Sequence, residues 1–174
     1  MNTSELNTIR LLLRMLTGDP IEAMESAKKL IGSKVHVQPV LLEQIASEKK
    51  YKKWSRIAAI YVLGFLNHKT STAVLSSILR DRLDNPQIRA HAAEALGNLR
   101  DPRAFSVLHD ILLGKDPTLV KRWCVYALSE IKGDRAYSML KKLAATKPTG
   151  VMAKELRMAL GGTMSDGWPG QRFH

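Results

Sequence analysis

The segment from residue 49 to residue 56 concentrates side chains that could bind a charged partner. Cations and aromatic rings alternate along it, namely Lys49, Lys50, Tyr51, Lys52, Lys53, Trp54 and Arg56. Clustered cations neutralise phosphates while aromatic rings stack on unpaired bases, which is how single-stranded nucleic acids are bound. The alternative is a solvated helix start with Trp54 packed toward the core. Both interpretations stay open, and residues 49–54 are candidate partner-binding residues.

Residue types that catalyse reactions or bind metals are few and scattered. Cys124 is the one cysteine of the chain, and the acidic residues are dispersed rather than paired for acid–base chemistry. The histidines show neither i, i+4 pairing nor an HExxH motif; they are His36, His68, His91, His109 and His174. We therefore expect no catalytic residue, no metal and no cofactor. An active site assembled from distant segments stays open.

A period of about 32 residues runs through the chain. It is marked by Gly32, Gly64, Gly97, Ser129 and Gly161, with spacings of 32, 33, 32 and 32. Small or apolar residues recur in the same register at Ala27, Ala59, Ala92, Cys124 and Leu156. Such a period is typical of stacked supersecondary units. Its register predicts that Cys124 is a buried core residue rather than a nucleophile.

Each period contains the pattern of two helices. The second half carries apolar residues at i, i+1, i+4 and i+5, as in Val107, Leu108, Ile111 and Leu112, which puts them on one helix face. Asp84 and Asp116 stand just before prolines, where we expect them to cap the next helix. No window alternates as a strand does.

The pattern predicts an all-α fold, a right-handed α-solenoid of about five two-helix repeats in one domain, 1–174. A capping helix spans 4–17, and a tail spans 162–174. The repeats are expected at about 19–50, 51–83, 84–115 and 116–147, with a half-repeat at 148–161.

Residues 84–112 resemble a unit of the HEAT repeats, in particular the short type also found in bilin lyase subunits. The resemblance rests on Arg89, Ala92, Ala93, Ala95, Leu96, Gly97, Asp101 and Pro102. It implies a scaffold whose members mostly bind proteins. It also implies that the recurrent cation at Arg56, Arg89 and Lys121 pairs with a turn aspartate such as Asp84, Asp101 or Asp116.

The resemblance further implies that the second helix of each unit lines a concave face. Two columns of residues would then point outward from these helices. One is Glu43, Ser76, His109 and Lys141, and the other is Gln44, Ser77, Asp110 and Lys142. The groove would run from acidic or neutral to basic, which suits a partner of mixed charge. His109, Asp110, Lys141 and Lys142 are therefore further candidate partner-binding residues.

The charge of the chain favours an acidic partner. Its net charge is +11. Residues 49–120 carry 12 basic and 6 acidic side chains, and residues 121–174 carry 10 basic and 4 acidic side chains, so basic residues exceed acidic ones in both segments. Such a field attracts polyanions and acidic proteins. No apolar run approaches the length of a membrane span, and with a single cysteine we expect a cytoplasmic protein.

Three functions are compatible with these patterns. The leading one is a non-catalytic protein-binding scaffold or adaptor whose partner is a protein with an acidic patch. The alternative is a nucleic-acid-binding HEAT-like protein using the basic clusters, including Arg80, Arg82, Arg100 and Arg103. The third, by analogy with the bilin lyases, is a lyase-type subunit, which needs a tetrapyrrole pocket and a partner that presents a thiol.

Overall fold

The computed structural model describes residues 3–33 and 37–161, without the side chains of residues 3 and 4. Within these ranges the chain forms ten α-helices and two 3₁₀ turns, and no strand. The predictions for the tail 162–174 and for His36 and His174 fall outside the described residues. The all-α solenoid expected from the period is confirmed.

The helices are arranged in two rows behind an N-terminal helix. Helix α1 (Thr3–Thr17) packs against the first helices of the first row. The first row contains α2 (Pro20–Gly32), α4 (Lys53–Phe65), α6 (Pro86–Leu99), α8 (Thr118–Ile131) and α10 (Gly150–Ala159). The second row contains α3 (Pro39–Ser47), α5 (Thr72–Arg80), α7 (Phe105–Leu113) and α9 (Asp134–Ala145). Each unit is one helix of each row, and units touch mainly their neighbours.

Glycines allow the helices of the first row to approach closely. A Cβ on Gly64 would lie 2.9 Å from the Cα of Ala95, and one on Gly97 would lie 2.8 Å from the Cα of Ala127. Both distances are shorter than a Cβ contact tolerates. Gly64 and Gly97 therefore lie at the contacts between successive units of the first row.

Helix starts differ in part from the sequence-based prediction. Asp19 caps α2, since its Oδ1 accepts from the backbone N–H of Ile21 at 2.8 Å and of Glu22 at 2.9 Å. For α6 and α8, however, the N-cap residues are Asn85 and Pro117. The expectation that Asp84 and Asp116 are caps is wrong, because their carboxylates bind arginines instead.

Buried ion pairs join consecutive units. Arg56 donates from Nη1 and Nη2 to the two oxygens of Asp84, at 2.9 and 2.5 Å, and from Nε to the Ala46 carbonyl at 2.8 Å. Arg89 likewise binds Asp116 and donates to the Leu79 carbonyl at 2.9 Å. The structural interpretation of these two arginines is confirmed.

The aspartates of these pairs are held ionised. Burial, the largest single effect, raises the pKa of Asp84 and of Asp116, but the hydrogen bonds to each carboxylate and the positive charges nearby together outweigh it and lower both pKa values. Around the third recurrent cation, Lys121, the described residues place no carboxylate at ion-pair distance. There the neighbouring Arg122 binds the buried Glu155, from Nε to Oε1 at 2.8 Å.

Candidate functional site

The basic segment 49–54 is tied to its surroundings. Its lysines bind, in order, Asp81 at 2.7 Å, Glu48, the Thr17 carbonyl at 3.3 Å and Gln87 at 2.8 Å. The Nζ of Lys53 also lies 4.4 Å from the ring centroid of Trp54. Tyr51 and Trp54 are partly buried against the core. These are the contacts that a helix start with an inward Trp54 would make.

The other predicted partner-binding residues, His109, Asp110, Lys141 and Lys142, do not form one surface in the structure. His109 and Lys142 line one cleft, whereas Asp110 is exposed and Lys141 lies 4.7 Å above the Tyr137 ring. The columns that suggested this set are not uniformly outward. Ser76 is buried, and Glu43 accepts a hydrogen bond from Ser71 at 2.6 Å.

The cleft has a volume of about 620 Å³ and lies between α7 and α9. Its walls are columns of residues four apart, which share a helix face: Phe105, His109 and Leu113 on α7, and Asp134, Ser138 and Lys142 on α9. Met139 and Leu143 add apolar surface. No pattern in the sequence singled out Phe105, Asp134, Arg135 or Ser138 as site residues, although the i, i+4 spacing was visible within each helix.

One side of the cleft is an aromatic and cationic stack. The rings of Phe105 and His109 are stacked with centroids 5.8 Å apart and planes 30° apart. The Cζ of Arg135 lies 4.3 Å from the Phe105 centroid. Among the described residues, no carboxylate lies within ion-pair distance of Arg135 or Lys142.

Asp134 lies one residue after the position that a structural aspartate has one unit earlier, because Asp101 corresponds to Gly133 in the 32-residue spacing of units three and four. That aspartate, Asp101, is buried and accepts hydrogen bonds from Thr72 Oγ1 at 2.8 Å and Arg103 Nη2 at 2.6 Å. The bond from Arg103, aided by Thr72, lowers the pKa of Asp101 to about 2. These bonds fasten the turn of unit three to the start of α5.

The corresponding fastening is missing one unit later. In the register of the period Thr72 corresponds to Phe105, Asp101 to Gly133 and Arg103 to Arg135, so the acceptor and the threonine donor are lost while the arginine is kept. Asp134 is exposed. The 3₁₀ turn that precedes α7 is also replaced here by Lys132 and Gly133, with φ of 61° and 87°. The backbones of α7 and α9 approach each other at fewer points than those of α5 and α7. The cleft therefore opens where the polar link between turns is absent.

Cys124 takes no part in this site. Its side chain is fully buried in α8, and burial strongly raises the pKa of its thiol. The prediction of a core residue is confirmed. In the described part of the chain there is no group of three or more His, Cys, Asp or Glu that could hold a metal ion. None of the helices described is long and apolar enough to cross a membrane.

Comparison with known proteins gives matches in sequence and in structure. A family model described as HEAT repeats matches residues 38–129 and 82–161. Deoxyhypusine hydroxylase-B of Oryza sativa subsp. japonica is 34% identical over 76 residues, which are 44% of this chain and 25% of that protein. This chain thus spans about a quarter of that relative.

The structural match covers nearly the whole chain. It is to the complex of CpcE and CpcF of phycocyanin lyase from Nostoc sp. PCC7120, with a TM-score of 0.73 and 20% identity. It covers 89% of this chain and 98% of the matched one. At this identity the likeness establishes the fold.

These matches correct the functional prediction. Both relatives are named for enzymatic reactions, which contradicts the expectation of a non-catalytic scaffold and of no enzyme. Neither name supports the nucleic-acid-binding alternative. The prediction rested on the lack of reactive residues close together in the sequence, which leaves open an active site built from separate units.

Proposed function

Because this chain belongs to the HEAT-repeat family, we propose that it is a lyase-type enzyme subunit that works together with a second protein subunit. The observation that carries the proposal is the match to a chain of a two-protein lyase complex, nearly complete in both directions. The likeness to deoxyhypusine hydroxylase-B supports an enzymatic role in general terms.

The cleft between α7 and α9 supports this role chemically. A lyase forms or breaks a bond by addition or elimination, so it needs groups that accept and return a proton. The carboxylate of Asp134 and the imidazole of His109 can both do so, and they line the same cleft. Its volume of about 620 Å³ is within the range of small-molecule sites. We propose that this cleft is the subunit's share of the active site.

A second subunit would complete the cleft. The cleft is open on one side, and Leu113 at its edge is 63% exposed. Burial of such an apolar edge favours association. Given the basic charge of the chain, we propose that the partner presents an acidic surface and that both proteins act in the cytoplasm.

The test compares cells with and without the chain. A tagged chain is isolated from the organism that produces it, and the proteins that accompany it are analysed by intact-protein mass spectrometry. We expect a partner subunit and a protein substrate that carries a covalent group. That group should be absent, or should accumulate, when the chain is deleted, and expression of the chain should restore the wild-type mass.

The control is a cell that expresses the variant Arg14→Met, which changes an exposed residue of α1, far along the chain from the cleft. It should behave as wild type. A substrate of unchanged mass in the deletion strain, or a chain that is isolated without any partner subunit, would overturn the proposed function.

A further inference from the structure

We propose that the outer face of α1, formed by Leu6, Ile9 and Leu13, binds a second copy of this chain, so that two α1 helices pair in parallel as a short coiled coil. The proposal goes beyond the proposed function and does not rest on it. Helix α1 packs against α2 and α4 at the start of the array, whereas the cleft lies between α7 and α9. The second copy is therefore distinct from the partner subunit proposed above.

The outer face of α1 is apolar although it lies in water. Leu6, Ile9 and Leu13 are 51%, 43% and 55% exposed. Among the helices of the described ranges, no other carries three exposed large apolar side chains. Single exposed apolar residues are common on protein surfaces, but three that share one helix face form a continuous stripe, which is a feature of association sites.

The spacing of these residues is that of a coiled coil. Together with the partly buried Leu16 they follow one another at intervals of three, four and three residues, which are the a and d positions of two heptads. Leu11 and Met15, which are buried against the array, stand on the opposite side of α1. Two copies that meet along the outer face therefore carry their arrays on opposite sides of the helix pair, away from the contact.

The charges beside the outer face favour a parallel pair. Glu5 and Arg10 are exposed and flank the stripe on its two sides, at the g and e positions. In a parallel pair each g residue faces the e residue five positions further along the other helix, so Glu5 of each copy meets Arg10 of the other. In an antiparallel pair the e positions face each other, and the two Arg10 side chains would repel.

The N-terminal part of the chain is also the part in which charge opposes self-association least. Residues 1–48 carry 5 basic and 6 acidic side chains, whereas the whole chain has a net charge of +11. Like charges on two copies repel, which keeps strongly charged proteins monomeric. Because the positive excess belongs to residues 49–174, a contact through α1 joins segments that are nearly neutral.

Sedimentation velocity of the full chain tests the pairing. The mass should rise from 19.4 kDa toward twice that value as the concentration increases from about 1 to about 300 µM, a range that suits a small interface. Leu13→Gln should weaken association at least about tenfold, since the apolar contact is lost in both copies. The chain should stay folded, because this side chain is already half in water. A wild-type chain that is monomeric over the whole range would overturn the proposal.

A charge exchange tests the contact between Glu5 and Arg10. Arg10→Glu places carboxylates opposite each other and should give monomers. The double variant Glu5→Arg with Arg10→Glu exchanges the two charges and should restore association. The matched control Arg80→Glu, at an exposed residue of α5, changes the net charge as Arg10→Glu does and should leave association unchanged. Equal association of Arg10→Glu and the double variant would contradict this contact.

A cysteine in the outer face tests the direction of the pair. Equal positions face each other in a parallel pair, so Leu13→Cys should form a disulfide-linked dimer under oxidising conditions. Arg14→Cys, which lies beside the stripe, should not, and neither should the wild-type chain, whose Cys124 is buried. Dimers of the wild-type chain without this cross-link in Leu13→Cys would reject the parallel arrangement.

A different occupant of the outer face would also be detected. Binding of a monomeric chain to phosphatidylglycerol vesicles, lost in Leu13→Gln, would overturn the proposal and assign the face to a membrane surface. None of these measurements involves the partner subunit or a substrate. Absence of a partner subunit in cells would therefore reject the proposed function while leaving the dimer intact, and a monomeric chain would do the reverse.

Discussion

Asp101 and Asp134 lie at the corresponding turns of units three and four, one residue apart in register, and their surroundings give them different roles. Asp101 is buried and receives hydrogen bonds from Thr72 and Arg103. Asp134 is exposed, and Phe105 stands at the position that corresponds to Thr72. The same side chain therefore fastens a turn in unit three and faces a cleft in unit four.

The role of Asp101 can be tested through pH. Its pKa is lowered to about 2, mainly by the Arg103 hydrogen bond, against about 3.9 in an unfolded chain. A depressed pKa stabilises the fold above the unfolded value, and this contribution is lost as the pH falls toward 2. Asp101→Asn should lower the free energy of unfolding by about 1 to 2 kcal/mol at pH 7, discounted for the exposed Arg103.

The measurement is urea unfolding of both proteins at pH 7, 4 and 3. The difference between wild type and Asp101→Asn should shrink as the pH falls through this window. Asp84 and Asp116 are present in both proteins, so their titration cancels in the difference. A difference that is constant from pH 7 to pH 3 would contradict the role of the Asp101 charge.

Arg89 should contribute far more to stability than an exposed arginine. Arg89→Met leaves the buried Asp116 with only the exposed Arg82 as a partner. We expect a loss of about 3 kcal/mol or more in the free energy of unfolding, because an unpaired buried charge is costly. Arg100→Met, at a residue 62% exposed and paired with Glu130, should cost less than about 1 kcal/mol. Equal urea midpoints for the two variants would contradict the prediction.

At the scale of single helices, the contacts between successive helices of the first row depend on which residue occupies the glycine position of the period. Gly64 and Gly97 lie against the backbones of Ala95 and Ala127. Ser129 takes this position in unit four, where its hydroxyl donates to the Tyr126 carbonyl at 2.7 Å within its own helix. Gly32 has open space around it.

These surroundings predict opposite effects of one substitution. Gly97→Ala would press a methyl group into Ala127 and should cost about 1 to 3 kcal/mol, since a well-packed contact must shift. Gly32→Ala meets nothing within 4 Å and should raise stability by about 0.5 kcal/mol through helix propensity. Thermal unfolding followed by circular dichroism compares the two. A stabilised Gly97→Ala variant would show that α6 and α8 are less tightly packed than the close approach of Gly97 to Ala127 indicates.

The sequence predicted the helices well and the site poorly, for physical reasons. The period, the apolar face of the second helices and the burial of Arg56 could be predicted because the residues responsible for them recur in successive units. The cleft depends on departures from the period. Phe105 and Asp134 are 29 residues apart and become neighbours only when unit four stacks on unit three. Asn85, and not the predicted Asp84, caps α6, because the carboxylate of Asp84 binds the buried Arg56.

On the scale of the whole molecule, stability should follow position along the array. Helix α6 packs between α4 and α8 and against α5, whereas α10 packs on α8 and α9 at the end of the described range. Because each unit is supported mainly by its neighbours, the ends of an array open more readily than its centre.

Hydrogen exchange tests this gradient. Backbone amides in α6 should exchange at least about tenfold more slowly than those in α9 and α10, since local opening requires less free energy at the ends. Mass spectrometry of peptides from each helix gives the comparison. Uniform exchange across α6, α9 and α10 would instead indicate that the array opens as one cooperative block.

The Arg–Asp pairs have a consequence for how such a chain can change its length. Arg56 reaches forward 28 residues to Asp84, and Arg89 reaches forward 27 to Asp116, a little less than one period. A gene duplication or deletion of one full period, wherever its borders fall between these residues, brings every arginine back opposite an aspartate. Descendants of this chain can therefore gain or lose a hairpin without stranding a charge in the interior.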